Sequence, residues 1–188
     1  QEGMRALKEL IMDNMTCDRE QRYLVLCWFV SAFLLDFAPY MALMKFSGAW
    51  ESGKSTPAKF LSLLIYGDEH LSEITTAGAY RSSANNPLLI FDDLESEDVT
   101  KSLSKFLRLA ATKGEKEKSS SNSDHNTITE KPKGLILITA IDPLLQTAVI
   151  SRTIAIEFEK KYLRPDFIED EIKRELVQKR DLILSAIL

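Results

Sequence analysis

The chain has 188 residues and a mass of 21.3 kDa, the size of one domain. Hydrophobic residues at 45% and charged residues at 28% supply a sizeable core and exclude wholesale disorder. With 24 Lys and Arg against 28 Asp and Glu, the net charge of −4 excludes a histone-like DNA packer, and any nucleic-acid contact must come from a local patch.

In chain order, Met4, Leu7, Leu10 and Ile11 stand at helical spacing within 4–14. Asp18 is a natural N-cap for a second helix running to about Leu35, apolar on all sides and expected to be buried. Its apolar run, Tyr23 to Leu35, is 13 residues long, short of the roughly 20 that a bilayer span needs. No membrane contact is expected. Tyr40 to Phe46 reads as a strand leading into Ser47-Gly48, and 55–66 as a helix that tolerates Pro57 in its first turn and stops at Gly67. Leu88 to Phe91 is a second strand, 97–112 a polar-faced helix, and Leu135 to Ile138 a third strand. Thr153 to Phe158 alternates as a fourth strand, and 165–188 forms one charged amphipathic helix. Apolar strands alternating with helices predict an α/β fold with a parallel sheet flanked by helices.

Residues 113–133 interrupt this pattern with five lysines, four acidic residues and a Ser/Asn-rich centre that includes His125. A solvated, disordered loop is the plainer reading. Cys17 and Cys27 have no second pair, so neither a zinc site nor a disulfide framework is expected. Cys17 reads as a surface thiol and Cys27 as a core residue. A reducing, cytoplasmic setting follows. The chain opens at Gln1 without a charged-then-apolar leader and reads as an excerpt of something longer.

The chemistry-bearing motif is Gly48-Ala49-Trp50-Glu51-Ser52-Gly53-Lys54-Ser55, followed by Thr56. It fits the phosphate-binding loop, between a strand and a helix as that loop requires. Its glycines let successive amides turn inward on phosphate oxygens. Lys54 would reach the β- and γ-phosphates, and the Ser55 hydroxyl would ligate Mg²⁺ at a helix N-terminus that favours negative charge. Trp50 either shields the nucleotide or packs on a neighbouring helix. Some 40 residues on, the strand Leu88 to Phe91 ends in Asp92-Asp93. Asp92 would complete the Mg²⁺ shell, and Asp93, with Glu95 in reserve, would orient or deprotonate a water for attack on the γ-phosphate of ATP.

This order of elements resembles AAA+ ATPases. The likeness is closest to the superfamily-three-like helicase and primase-associated ATPase modules of phages, plasmids and integrated elements, over residues 20–188. The resemblance implies an AAA+/RecA-like core over 39–162, a helical segment over 1–38 packed on it, and the start of a helical lid over 163–188. It implies Mg²⁺-dependent ATP hydrolysis in DNA replication, a homo-oligomeric ring, and single-stranded or forked DNA as partner. It also assigns Thr139 to sensing the γ-phosphate, against a plain reading as a satisfied strand-end hydroxyl. Arg152 becomes a finger into the neighbouring subunit's nucleotide, against an ordinary surface arginine. The 113–133 insertion falls where related helicases carry a DNA-gripping hairpin. A non-catalytic regulatory module and a small-molecule kinase stay open as alternatives.

Overall fold

The computed structural model describes residues 1–38, 40–70, 75–114, 116–118, 128–141 and 146–188. The helices are α1 (Glu2–Leu10), α2 (Arg19–Val30), α3 (Ser55–Tyr66), α4 (Thr76–Asn85), α5 (Lys101–Thr112), α6 (Thr147–Ile150) and α7 (Glu169–Ile187). The strands are β1 (Leu43–Ser47), β2 (Leu88–Phe91), β3 (Lys116–Lys118), β4 (Ile128–Glu130), β5 (Leu135–Ala140) and β6 (Thr153–Glu157). Four of them form a parallel sheet in the order β2-β5-β1-β6.

Because successive side chains of a strand point to opposite faces, β1, β2 and β5 each feed two cores, while the edge strand β6 feeds one. Met44, Phe46, Leu88, Ile90, Leu135, Leu137, Ile156 and Phe158 pack on one face with residues of α1, α2, α3 and α7. Leu43, Leu89, Phe91, Ile136 and Ile138 pack on the other with Tyr80 of α4, Phe106 and Leu107 of α5, and Val149 of α6. This double burial explains the unbroken apolar runs LLIF and LILI.

Several boundaries follow local signals. The Asp18 carboxylate accepts a hydrogen bond from Gln21 N at 2.9 Å and starts α2. Gly67, at φ 76°, closes α3 in the left-handed conformation that a side chain would resist. Thr100 caps α5 through Leu103 N, so that helix begins at Lys101 and not at 97.

Other expectations are corrected. Helix α2 stops at Val30 and tightens into a 3-10 turn over Ser31–Leu34. It is not buried all round: Val25, Trp28 and Phe29 face the core, while Tyr23, Leu24 and Cys27 are exposed. The cysteine roles are therefore reversed. Cys17 is fully buried and Cys27 lies on the outer face of α2. The first strand starts at Leu43, because Tyr40 stands in solvent. The last helix starts at Glu169, beyond a turn that contains Pro165. Helices α4 and α6 were not expected.

Within the polar insertion, β3 and β4 pair antiparallel from Lys116↔Glu130 to Lys118↔Ile128. The insertion is thus a β-hairpin at its base, where the plainer reading had a solvated loop. Its tip, with His125, lies outside the described residues. Among the described residues, no helix is long and apolar enough to cross a membrane.

Candidate nucleotide site

In a parallel sheet, loops that leave the carboxyl ends of adjacent strands converge on one edge. Here β1 lies between β5 and β6, with β2 beyond β5. The loop 48–54 therefore leaves β1 beside the ends of β5 and β2. The register sets Phe46 against Thr139, and Phe91 against Ile138, so Asp92 emerges level with Thr139.

The loop is closely walled. A Cβ on Gly48 would fall 2.4 Å from Phe158 O and 2.6 Å from Ser52 Oγ, so only glycine fits there. Glu51 (φ 58°) and Gly53 (φ 87°) are both left-handed, which turns their amides relative to those of their neighbours. Ser52 N closes the turn on Ala49 O at 3.1 Å. The Ser52 hydroxyl is enclosed and has no hydrogen-bond partner among the described residues. Buried polar atoms without partners are rare and call for an explanation. Helix α3 begins at Ser55 with no side chain capping its first amides, which leaves those donors facing the loop. Ala49 and Trp50 are exposed. Trp50 is 65% exposed.

Around this cradle, Lys54 is buried at 7% exposure, with Nζ 3.9 Å from Asp93 Oδ1. Thr139 is wholly buried, and its hydroxyl does two things. It donates to Asp92 Oδ1 at 2.6 Å and accepts from Asp93 N at 2.7 Å. A hydroxyl has one proton to give, and that of Thr139 goes to Asp92. The contact fixes the acidic pair at the strand end, with Asp93 at φ 51°. Leu94 N also bonds Thr139 O at 2.9 Å, which ties the β2 end to β5 a third time. Glu95 is exposed on the following turn, its amide on Asp98 Oδ2.

Arg152 is not brought to this edge. It precedes β6 at the amino ends of the strands, where its carbonyl accepts from Leu43 N at 2.9 Å. Its exposed guanidinium donates to Ala148 O at 2.6 Å and Ser151 Oγ at 3.2 Å. It lines an open groove of about 550 Å³ with Tyr40, Met41, Thr112, Thr153 and Ile154.

Two side chains that motif reading misses touch the loop. The Thr16 hydroxyl donates to Ser52 O from a segment 36 residues upstream. Glu169, the first residue of α7, accepts from the Thr56 hydroxyl at 3.0 Å and pairs with Lys59 at 3.3 Å and Lys173 at 2.8 Å. Burial works to raise the Glu169 pKa, but the hydrogen bonds from Lys173 and Thr56 and the nearby ammonium groups prevail and hold it below its ordinary value. Nothing in the local sequence around Thr16 or Glu169 marks either residue.

A nucleoside triphosphate with Mg²⁺ fits these residues. Ser52 Oγ has no partner among the described residues, the cradle admits no Cβ at Gly48, and Ser55 and Asp92 offer the hard oxygen donors that Mg²⁺ takes. Among the described residues, no group of three or more His, Cys, Asp or Glu could hold a metal without such a ligand.

No family model and no curated protein matches the chain. Solved structures do. The chain is similar to the apo C-terminal region of NrS-1 at 15% identity and a TM-score of 0.64, over 97% of this chain and 44% of that one. It is similar to JCV helicase at 15% identity and a TM-score of 0.55, over 98% and 53%. The SCCmec type IV Cch helicase matches at 16% identity and a TM-score of 0.51, over 92% and 31%. The chain thus shares the α/β fold of these structures and spans 31% to 53% of their length.

Proposed function

We propose that this chain binds Mg²⁺-ATP at the loop after β1 and hydrolyses it as the motor of a helicase-type protein acting on DNA in the replication of a phage or mobile element. One observation carries the reading: Lys54, Asp92, Asp93 and Thr139, drawn from three loops and strands far apart in sequence, meet at one edge of the sheet. A structural turn has no use for a buried lysine facing an acidic pair.

In this reading, the amides of the loop and of the first turn of α3 hold the phosphates, together with Lys54. Ser55 and Asp92 would hold Mg²⁺, which neutralises charge on the phosphate oxygens. Asp93 orients the attacking water, and its short side chain is placed by the Thr139 contact with its amide. Thr139 acts through the acidic pair, since its proton is committed to Asp92. Arg152 would serve a neighbouring copy, and α7 would begin a lid. The name of two of the structural neighbours, helicase, supports a nucleic acid as the target. The short Asp93 favours a second reading, a regulatory module that binds ATP without turning it over.

The test is ATP turnover with and without single-stranded DNA, together with the mass in solution, for the wild type and Lys54→Ala. Turnover stimulated by DNA, in an assembly of several times 21.3 kDa, and lost in the variant, supports the motor. Tight binding without turnover supports the regulatory module. Phosphate transfer to an added nucleoside or sugar would point to a kinase. Equal binding and turnover in both proteins would end the assignment of the loop.

A further inference from the structure

We propose that Thr16 is a positioning residue for phosphate binding, which it serves by holding the Ser52–Gly53 peptide in one orientation. The inference rests on the reading of 48–55 as the nucleotide loop. Thr16 is 5% exposed and follows the turn after α1. Its hydroxyl donates to Ser52 O, and its own carbonyl accepts from Glu159 N at 2.8 Å. The residue is thus pinned between the loop and the segment after β6. It also abuts Gly53: a Cβ there would fall 3.0 Å from Thr16 Oγ1 and 3.2 Å from its Cγ2.

The consequence follows from peptide geometry. No peptide bond in the described chain is cis, and in a trans peptide the C=O and N–H of one unit point in opposite directions. With Ser52 C=O turned toward Thr16, Gly53 N–H points away from it and joins the donors of the cradle. Gly53, at φ 87°, has the freedom to let this unit flip. A flip would aim a carbonyl dipole at phosphate oxygens and withdraw a donor. Thr16 opposes that flip by holding the Ser52 carbonyl on its own side. It touches no reacting atom. Its contribution is to preorganise the loop, which raises affinity by reducing what must be ordered on binding.

The test is equilibrium binding of Mg-ATP and Mg-ADP to the wild type, Thr16→Val, Thr16→Ser and Lys54→Ala, each well below its melting temperature. Valine keeps the shape and removes the donor, whereas serine keeps the donor. Thr16→Val is expected to weaken both nucleotides about fivefold, the size of one lost hydrogen bond. Thr16→Ser is expected to bind as the wild type does, although it loses a buried methyl group and melts lower. A merely structural role would give affinities that follow the melting temperatures. Should Thr16→Val not fold, Thr16→Ala set against Thr16→Ser makes the same comparison. Wild-type affinity in Thr16→Val, alongside loss in Lys54→Ala, overturns the inference alone. Absence of nucleotide binding by the wild type overturns it together with the loop assignment.

Discussion

Cys17 and Cys27 are ten residues apart in sequence and differ in burial, which decides whether a reagent can reach the thiol. Cys17 is fully enclosed, and burial pushes its thiol up to about 11 despite the opposing Arg22 guanidinium. Since the thiolate is the nucleophile, only roughly one part in a thousand of Cys17 would be reactive at pH 8. Cys27 stands exposed on α2. Native protein treated with iodoacetamide at pH 8 should take up one label, on Cys27, and denatured protein two. Intact mass and peptide mapping give the count. Two labels on native protein would mean that the segment from 15 to 18 opens readily, and Thr16 with it. The same single-residue logic governs Thr139, where one hydroxyl between two aspartates sets both the position and the direction of the acidic pair.

At the level of elements, α7 is fastened to α3 at both ends of their contact. Arg180 donates to Leu64 O at 2.8 Å and Ile65 O at 2.7 Å, the carbonyls that a helix C-terminus leaves without partners. Near the loop, Glu169 gathers Thr56, Lys59 and Lys173, and Lys173 also pairs with Glu69 at 2.6 Å. The Glu169 carboxyl titrates below its ordinary value of 4.5 in the folded chain. Its stabilisation is therefore present above 4.5 and fades as pH falls through the lowered folded value. Glu169→Gln should cost on the order of 1 kcal/mol at pH 7, with the gap to wild type closing toward pH 3, as read from urea midpoints. A gap that stays constant with pH would mean that charge at Glu169 does not hold α7. Sequence punctuation located some elements to the residue. Helix α3 lies between Lys54 and Gly67, with Pro57 in its first turn, and β2 lies between Pro87 and Asp92. Helix α4 escaped because TAGAYRSSAN buries only Ala79, Tyr80 and Ser83, too few apolar residues to show a period. Helix α6 has only four residues. That Lys54, Asp92 and Asp93 come together could be expected from the sequence, because a phosphate loop and a strand end with two carboxylates are local patterns. Thr16 and Glu169 were not legible, since only the folded chain joins them to residues 36 and 113 positions away.

Over the whole molecule, the two halves of the proposed catalytic machinery lie at opposite edges of one sheet. The register runs from Leu43↔Thr153 to Ser47↔Glu157, so Arg152 is about 20 Å along the strand direction from the start of the loop at a rise near 3.3 Å per residue. No side-chain rotation in one copy closes that gap, and the Arg152 guanidinium instead faces the open groove beside Tyr40. A head-to-tail ring would place the Arg152 edge of one copy against the loop edge of the next, since heterologous contacts that close make rings. Arg152→Ala should then keep ATP binding and lose about a thousandfold or more in turnover, the scale of an arginine that stabilises a transferring phosphoryl group. Mixed in equal parts with Lys54→Ala, it should regain activity that neither variant has alone. About a quarter of the random interfaces would pair a working loop with a working arginine, so about a quarter of the wild-type rate is expected from such a ring. The mixture is assayed at a concentration where both variants co-sediment as one assembly. Co-assembly without recovered turnover would remove Arg152 from the neighbour's nucleotide and leave it an ordinary surface arginine.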